Sequence, residues 1–182
     1  MIVTITGEAG GIGSGMSVAM AKEGETVAVV DIDEEAGKAM EKKLQEISPE
    51  SIFIKADLIN RENSPNIVEQ VGKKYGKLDV LVNNAHASRQ KPFEEITKED
   101  FDLSFGTGFY ATFYLMKAAF PYLKETKGNI INFASAAGLE GQQTQKQQKK
   151  RFVPFPKLRR MSGENTESPP TSSVQSPIPL VW

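Results

Sequence analysis

The chain has no cysteine among its 182 residues, so disulfide bonds and thiolate chemistry are excluded and a secreted fold has no support. No apolar run approaches the about 18 residues that a membrane-spanning helix needs. The formal net charge is −1, which gives no argument for a nucleic-acid or membrane-surface partner. An apolar strand begins at Ile2 and leaves no room for a signal peptide, so we expect one cytoplasmic domain.

A glycine-rich segment follows the first apolar run. Ile2, Val3 and Ile5 have the β-branched composition of a buried parallel strand, and a helical pattern begins at Met16. The glycines between them are Gly7, Gly10, Gly11 and Gly13. A strand, a glycine-rich turn and a helix together bring backbone N–H groups and the positive end of a helix dipole close to an anion.

Three structures are consistent with this turn. A tight strand-to-helix turn needs no ligand, and a P-loop needs a lysine where this chain has Met16. A dinucleotide fold needs an acid about 20 residues downstream, at the end of a second strand. Asp31 ends the apolar run 27–30 and supplies that acid. The two signals together favour the dinucleotide fold, and the Asp31 carboxylate favours NAD because it would repel the 2′-phosphate of NADP.

Helical and strand-like patterns then alternate along the chain. In order they occupy residues 34–47, 51–57, 64–75, 78–83, 99–124 and 129–135. Ser64 has the place of a helix cap, and the helix 99–124 has an aromatic face that includes Phe101, Phe109, Phe113 and Phe120. The alternation predicts an α/β fold with a Rossmann-type, doubly wound parallel sheet of about five strands.

The alternation ends near residue 141. From residue 142 the chain is rich in Gln, Lys, Ser and Pro, with six of the ten prolines from Pro154 onward. We therefore expect a Rossmann domain over 1–141 and a disordered tail over 142–182. The basic residues between Lys146 and Arg160 would suit a nucleic-acid-binding arm, but a solvated tail is the favoured interpretation.

The motifs resemble those of the short-chain dehydrogenase/reductase family over residues 1–141. Segment 6–13 is similar to the family's cofactor loop, Asp31 to its ribose acid, and segment 83–85 to a motif near the cofactor. Segment 57–58 is similar to its adenine-contacting pair, and the strand 130–135 to the one that carries the catalytic serine. The resemblance implies NAD as the cofactor, no metal, Ser135 as a catalytic residue, and a cofactor-binding set of Gly7, Gly11, Ile12, Gly13, Asp31, Ile32, Asp57, Leu58, Asn83 and Ala85.

The resemblance also implies a reaction, the interconversion of alcohols and ketones by hydride transfer. In this family a tyrosine transfers the proton, and a lysine four residues later lowers the pKa of that tyrosine. No Tyr-x-x-x-Lys occurs in this chain, whose last tyrosine, Tyr122, precedes Ser135. His86 stands where the family's 83–86 motif usually ends in glycine, and a pocket or surface role is favoured over catalysis for this histidine. Gly108 stands where the family usually has an asparagine that aids proton relay.

We therefore expect a truncated, NAD-preferring member of the family that lacks turnover. The alternatives are a non-catalytic NAD-binding or interaction module and the product of a broken gene. Intact relatives form homo-oligomers partly through a helix that this chain lacks. The apolar strand 130–134 would then be a bare sheet edge, which argues against the same assembly here and predicts poor solubility.

A shift of reading frame is one explanation of the tail. If the last base of each codon is read with the first two bases of the next, starting at Lys146, suitable codons allow a sequence that begins AAKEAIRAL. That sequence has helical periodicity and resembles the segment after the catalytic tyrosine in the family. The hypothesis places an insertion or deletion near residues 143–146.

Overall fold

A computed structural model describes residues 1–8 and 10–134. The strands are β1 (Ile2–Thr6), β2 (Thr26–Asp31), β3 (Ile52–Lys55), β4 (Val80–Asn83) and β5 (Asn129–Asn132). The helices are α1 (Gly11–Lys22), α2 (Glu34–Gln45), α3 (Asn63–Tyr75), α4 (Lys98–Phe105) and α5 (Ala111–Thr126). A 3₁₀ turn at Phe93–Glu95 precedes α4, and a π-helical segment at Gly106–Tyr110 joins α4 to α5.

The five strands form one parallel sheet in the order β3-β2-β1-β4-β5. The chain builds outward from β1 to β2 and β3, and then crosses back to place β4 on the other side of β1. Val3 of β1 accordingly pairs with Val27 on one side and Val80 on the other. The strand order therefore reverses between β1 and β4, and ligands of open α/β sheets bind at the carboxyl ends of strands at such a point. The expected fold is confirmed.

The helices cover the sheet on both faces because successive strand residues point to opposite sides. One cluster includes Val3, Ile5 and Val29, with Ala21 of α1 and Leu44 of α2. The other includes Ala28 and Val30, with Ile67 of α3 and Leu115 of α5. None of the helices within residues 1–8 and 10–134 combines the length and apolar character that crossing a membrane requires.

Several element boundaries differ from the sequence prediction. Helix α1 begins at Gly11, five residues before the expected Met16. The prediction of Ser64 as a cap is wrong: α3 begins at Asn63, and the Ser64 hydroxyl is buried within its first turn. Pro65 is tolerated there because the first N–H groups of a helix have no intrahelical partner. Ser135 and the expected tail 142–182 lie outside the described residues.

The long helix expected over 99–124 is divided by the π-helical segment, and its aromatic face does not form the core. The buried residues of α5 are Ala111, Leu115, Ala119 and Leu123, spaced four apart. Phe113 and Phe120 are each 51% exposed. Small and aliphatic side chains therefore set how closely α5 approaches the sheet.

Candidate functional site

The glycine-rich turn between β1 and α1 packs directly against the end of β4. Gly7 has a φ of +80°, and a Cβ there would lie 2.7 Å from the Cα of Ala85. A Cβ on Gly13 would lie 2.3 Å from the carbonyl oxygen of Gly7. Neither position can accept a side chain without displacing backbone. The structure thus places Gly7 against both Gly13 and Ala85, and all three are predicted cofactor residues.

Hydrogen bonds from Thr6 and Asn84 hold this contact in place. The Thr6 hydroxyl oxygen accepts from the backbone N–H groups of Asn84 at 3.2 Å and Ala85 at 3.1 Å. The Asn84 side-chain amide donates to the carbonyl oxygens of Thr6 and Gly7, both at 3.0 Å. Thr6 and Asn84 are absent from the predicted site set, although both lie within the motifs that indicated it.

The N-terminus of α1 opens beside this contact. Its cap residue, Gly10, has no side chain that could accept from the first N–H groups of the helix, and the first turn contains no acidic residue. Among the residues that the structure describes, no atom lies within 4 Å of a Cβ built on Gly10 or Gly11, and Ile12 is 65% exposed. An uncapped helix N-terminus with open space above it presents N–H groups and a positive dipole end to an anion. The predicted residues Gly11 and Ile12 lie at this opening.

Glu8 is a buried acid within the same turn, and sequence analysis did not identify it. Its side chain is 1% exposed, and Oε2 accepts a hydrogen bond from the Ser17 hydroxyl of α1 at 2.6 Å. Oε1 has no hydrogen-bond partner among the described residues. Burial raises the pKa of the Glu8 carboxyl to about 7; the Ser17 hydrogen bond opposes this shift, and the charge of Asp31 adds to it.

Two further predicted pairs, Asp31 with Ile32 and Asp57 with Leu58, lie at the carboxyl ends of β2 and β3. Asp31 Oδ1 accepts from the Asp33 backbone N–H at 3.0 Å, and the adjacent Ile32 is 60% exposed. Asp57 Oδ1 accepts from a backbone N–H two residues later, at 2.9 Å. Leu58 is 8% exposed and its side chain packs in the core, so the side chain does not face a ligand.

The predicted residue Asn83 links β4 to β5. Its Nδ2 donates to Asn132 Oδ1 at 2.8 Å, and its carbonyl oxygen accepts from the Phe133 N–H at 3.1 Å. The side chain is 6% exposed, which indicates a structural role between the strands. A direct cofactor contact by Asn83 remains a prediction, as does the catalytic role of Ser135, which lies outside the described residues.

The loop after β4 is tied to α4 and to the π-helical segment. His86 Nε2 lies 3.2 Å from Ser104 Oγ, and the Ala87 N–H donates to Thr107 Oγ1 at 2.9 Å. Partial burial lowers the pKa of His86, so its imidazole is neutral at pH 7. Gly108 lies in the π-helical segment and offers no side chain in place of the relay asparagine.

Asp100 anchors the far end of this loop. It accepts hydrogen bonds from Lys91 Nζ at 2.7 Å, Arg89 Nη1 at 3.1 Å and the Thr97 N–H at 3.1 Å. The Lys91 bond, followed by the Thr97 and Arg89 bonds, holds the pKa of Asp100 well below its usual range. Thr97 and Asp100 also form a capping box at the start of α4. Within residues 1–8 and 10–134, no cluster of three His, Cys, Asp or Glu residues is arranged to hold a metal ion.

Sequence comparison gives the chain known relatives. The family model described as short chain dehydrogenase matches residues 1–147. A 12α-hydroxysteroid dehydrogenase from Clostridium sp. is 38% identical over 146 residues, which cover 77% of this chain and 56% of the relative. The L-fucose dehydrogenase of Oryctolagus cuniculus is 36% identical over 143 residues, 78% of this chain and 49% of the relative. The chain spans about half the length of these curated relatives.

Solved structures share the fold. An alcohol dehydrogenase from the archaeon Thermococcus sibiricus, complexed with 5-hydroxy-NADP, matches with a TM-score of 0.72 and 24% identity over 75% of this chain and 59% of its own. Cj0485 dehydrogenase matches with a TM-score of 0.71 and 31% identity over 78% of this chain and 54% of its own. The motifs, the five-stranded parallel sheet and these matches agree, and the chain belongs to the short-chain dehydrogenase family of oxidoreductases.

Proposed function

We propose that this chain binds a nicotinamide dinucleotide across the carboxyl ends of β1, β2 and β3, with NAD preferred over NADP. The main support is the N-terminus of α1, which has no side-chain cap and no neighbouring atom close to Gly10 or Gly11 within the described part of the chain. It lies beside a turn that hydrogen bonds of Thr6 and Asn84 hold closed. The N–H groups from Gly11 onward would hold the pyrophosphate, and Gly7 and Gly13 keep the turn compact. Asp31, Ile32, Asp57 and the backbone of Leu58 would receive the adenosine half.

The charges around Asp31 support the preference for NAD. Asp33 caps α2, and Glu34 and Glu35 lie in its first turn. Glu34 pairs with the two lysines Lys38 at 2.6 Å and Lys55 at 2.7 Å. The surroundings of Asp31 thus combine several carboxylates with cations that are already paired, an environment unfavourable to a 2′-phosphate.

The bound dinucleotide would supply the hydride donor or acceptor for an alcohol and ketone pair. Ser135 would orient the substrate oxygen, and Asn83 with Asn132 would hold the strand ends that lead to it. The 182-residue sequence has no Tyr-x-x-x-Lys for proton transfer, so we propose that this chain binds the cofactor without turnover and that the activity belongs to a longer protein. The family match ends at residue 147, and the relatives are about twice as long as the matched part, which supports this interpretation.

Fluorescence titration of the 182-residue chain with NADH and NADPH tests the proposed site. We expect saturable binding with NADH preferred. Asp31→Asn should weaken NADH binding about tenfold or more, because a charge-assisted hydrogen bond is lost, and should narrow the preference over NADPH. Glu69→Gln, which removes an exposed charge on α3 outside the proposed site, is the control and should change both affinities little. No binding of either dinucleotide would refute the proposal.

Turnover and the origin of the tail need separate measurements. NAD with L-fucose, the compound in the name of one relative, should give no NADH with this chain. Sequencing the gene across codons 140–150 and onward to the stop then separates the alternatives. A second frame that continues as AAKEAIRAL assigns the activity to the repaired enzyme. A second frame interrupted by stops favours the non-catalytic binding module.

A further inference from the structure

The carboxyl group of Glu8 lies inside the turn that would hold the pyrophosphate. Oε2 reaches Ser17 of α1, and Oε1 lies 3.2 Å from the position that a Gly13 Cβ would occupy. The Asn84 amide lies 2.8 Å from that same position. The side chain is 1% exposed, and Oε1 is buried without a partner among residues 1–8 and 10–134. The carboxyl group is thus almost completely shielded from solvent, and among the described residues only one of its two oxygens has a hydrogen-bond partner.

A negative charge at this position opposes an anionic ligand. The helix dipole and the N–H groups of α1 attract a pyrophosphate, whereas an ionised Glu8 in the same turn repels it with little screening, because the carboxylate is buried. A neutral carboxyl removes that repulsion and can donate its proton to a neighbouring oxygen. We propose, on the basis of the proposed function, that dinucleotide binding requires the protonated form of Glu8. Cofactor binding is then coupled to proton uptake at the phosphate-binding turn.

The groups around Glu8 are consistent with a single titration. Ser17 from α1 and Asn84 from the end of β4 are neutral, and Asp31 at the end of β2 is the charged group whose field reaches the Glu8 carboxyl. Burial brings the pKa of Glu8 to about 7, so both forms are populated near neutral pH. The ligand's pyrophosphate keeps a constant charge in that range. The expected pH dependence of the affinity is therefore assigned to Glu8.

The experiment is a titration of the 182-residue chain with NADH at pH values from 6 to 8.5, followed by fluorescence. If only the protonated form binds and its pKa is about 7, the Kd should rise about tenfold between pH 6 and pH 8. Glu8→Gln, an isosteric and permanently neutral replacement, should bind with a Kd that is constant over this range and close to the wild-type value at pH 6. Calorimetry in two buffers with different ionisation enthalpies should show proton uptake by wild type at pH 7 and none by Glu8→Gln.

Two controls isolate the effect. Glu69→Gln removes a charge from an exposed pair on α3 and should keep the wild-type pH dependence. His86→Gln removes the single histidine of the chain and should keep the wild-type slope as well. A wild-type Kd that is constant from pH 6 to 8.5, or a Glu8→Gln variant that keeps the slope, overturns the inference while the dinucleotide site stands. Failure of both proteins to bind at every pH overturns the proposed function and this inference together.

Discussion

Replacing Glu8 with glutamine should make folding stability less dependent on pH. The carboxyl has an ordinary pKa of 4.5 in the unfolded chain and about 7 in the folded protein. The folded state therefore holds a proton that the unfolded state releases between these two values, and stability falls as pH rises through this window. Below pH 4.5 this group imposes no penalty, and above pH 7 the penalty is complete.

The size of the effect follows from the two pKa values. One pKa unit corresponds to about 1.4 kcal/mol, so the difference between 4.5 and about 7 corresponds to about 3 kcal/mol. Glutamine keeps the shape and can still hydrogen-bond Ser17, but it has no charge to bury. The free energy of unfolding of Glu8→Gln minus that of wild type should therefore grow by about 3 kcal/mol between pH 4 and pH 8.

Urea unfolding at 25 °C, measured at several pH values for both proteins, checks this prediction. Because the comparison is a difference, the contributions of acids that do not interact with Glu8 cancel. Ser17→Ala provides a second probe: it removes the hydrogen bond that stabilises the ionised form, so it should destabilise the protein more at pH 8 than at pH 5. A difference between Glu8→Gln and wild type that stays constant across pH would refute the assignment of a buried, perturbed carboxyl.

Two further predictions concern residues that shape the site. Gly13→Ala should lower the free energy of unfolding by about 1–3 kcal/mol and abolish NADH binding, because the new Cβ would meet the Gly7 carbonyl oxygen. Gly15→Ala is the control in the same helix: its Cβ meets none of the described residues, so it should raise the free energy of unfolding by about 0.5–1 kcal/mol. Equal effects of the two variants in urea unfolding would contradict the close packing at Gly13. Thr97→Ala should lower the free energy of unfolding by about 1 kcal/mol because it removes the hydroxyl that caps α4, whereas Thr97→Ser keeps that hydroxyl and should keep the stability. A loss of equal size in both variants would show that the hydroxyl is not the capping group.

The strands were the most predictable part of the fold. Runs such as 27–30 are buried on both faces, so their continuous apolar composition indicates parallel strands without knowledge of their neighbours. The ends of elements were less predictable. Asn63, Ser64 and Pro65 all suit the first turn of a helix, and only the tertiary burial of the Ser64 side chain shows that it is not the cap.

The candidate site was partly predictable for a similar reason. Glycine at positions 7 and 13 is needed by the local backbone contacts, and Asp31 is marked by its place at the end of a strand. Nothing in the sequence indicates that Glu8 is buried, since an acid in a glycine-rich turn is typical of an exposed loop. Its burial depends on how α1 packs against the turn, and Ser17 becomes its partner only through that packing.

The hydrogen bonds that the Asn84 side chain donates to the glycine-rich turn also have a consequence for how the chain folds. The bonds from its amide to Thr6 and Gly7 join residues that are 78 and 77 positions apart. Closing a loop of that length costs chain entropy that local helix and turn formation cannot offset, so contacts of this kind slow folding. The glycine-rich turn and Asp31 are both synthesised long before β4, yet the turn reaches its compact form only when β4 docks beside β1. The proposed dinucleotide site is therefore completed through a long-range pairing, and a chain ending before β4 would contain the glycines and the acid without a closed turn.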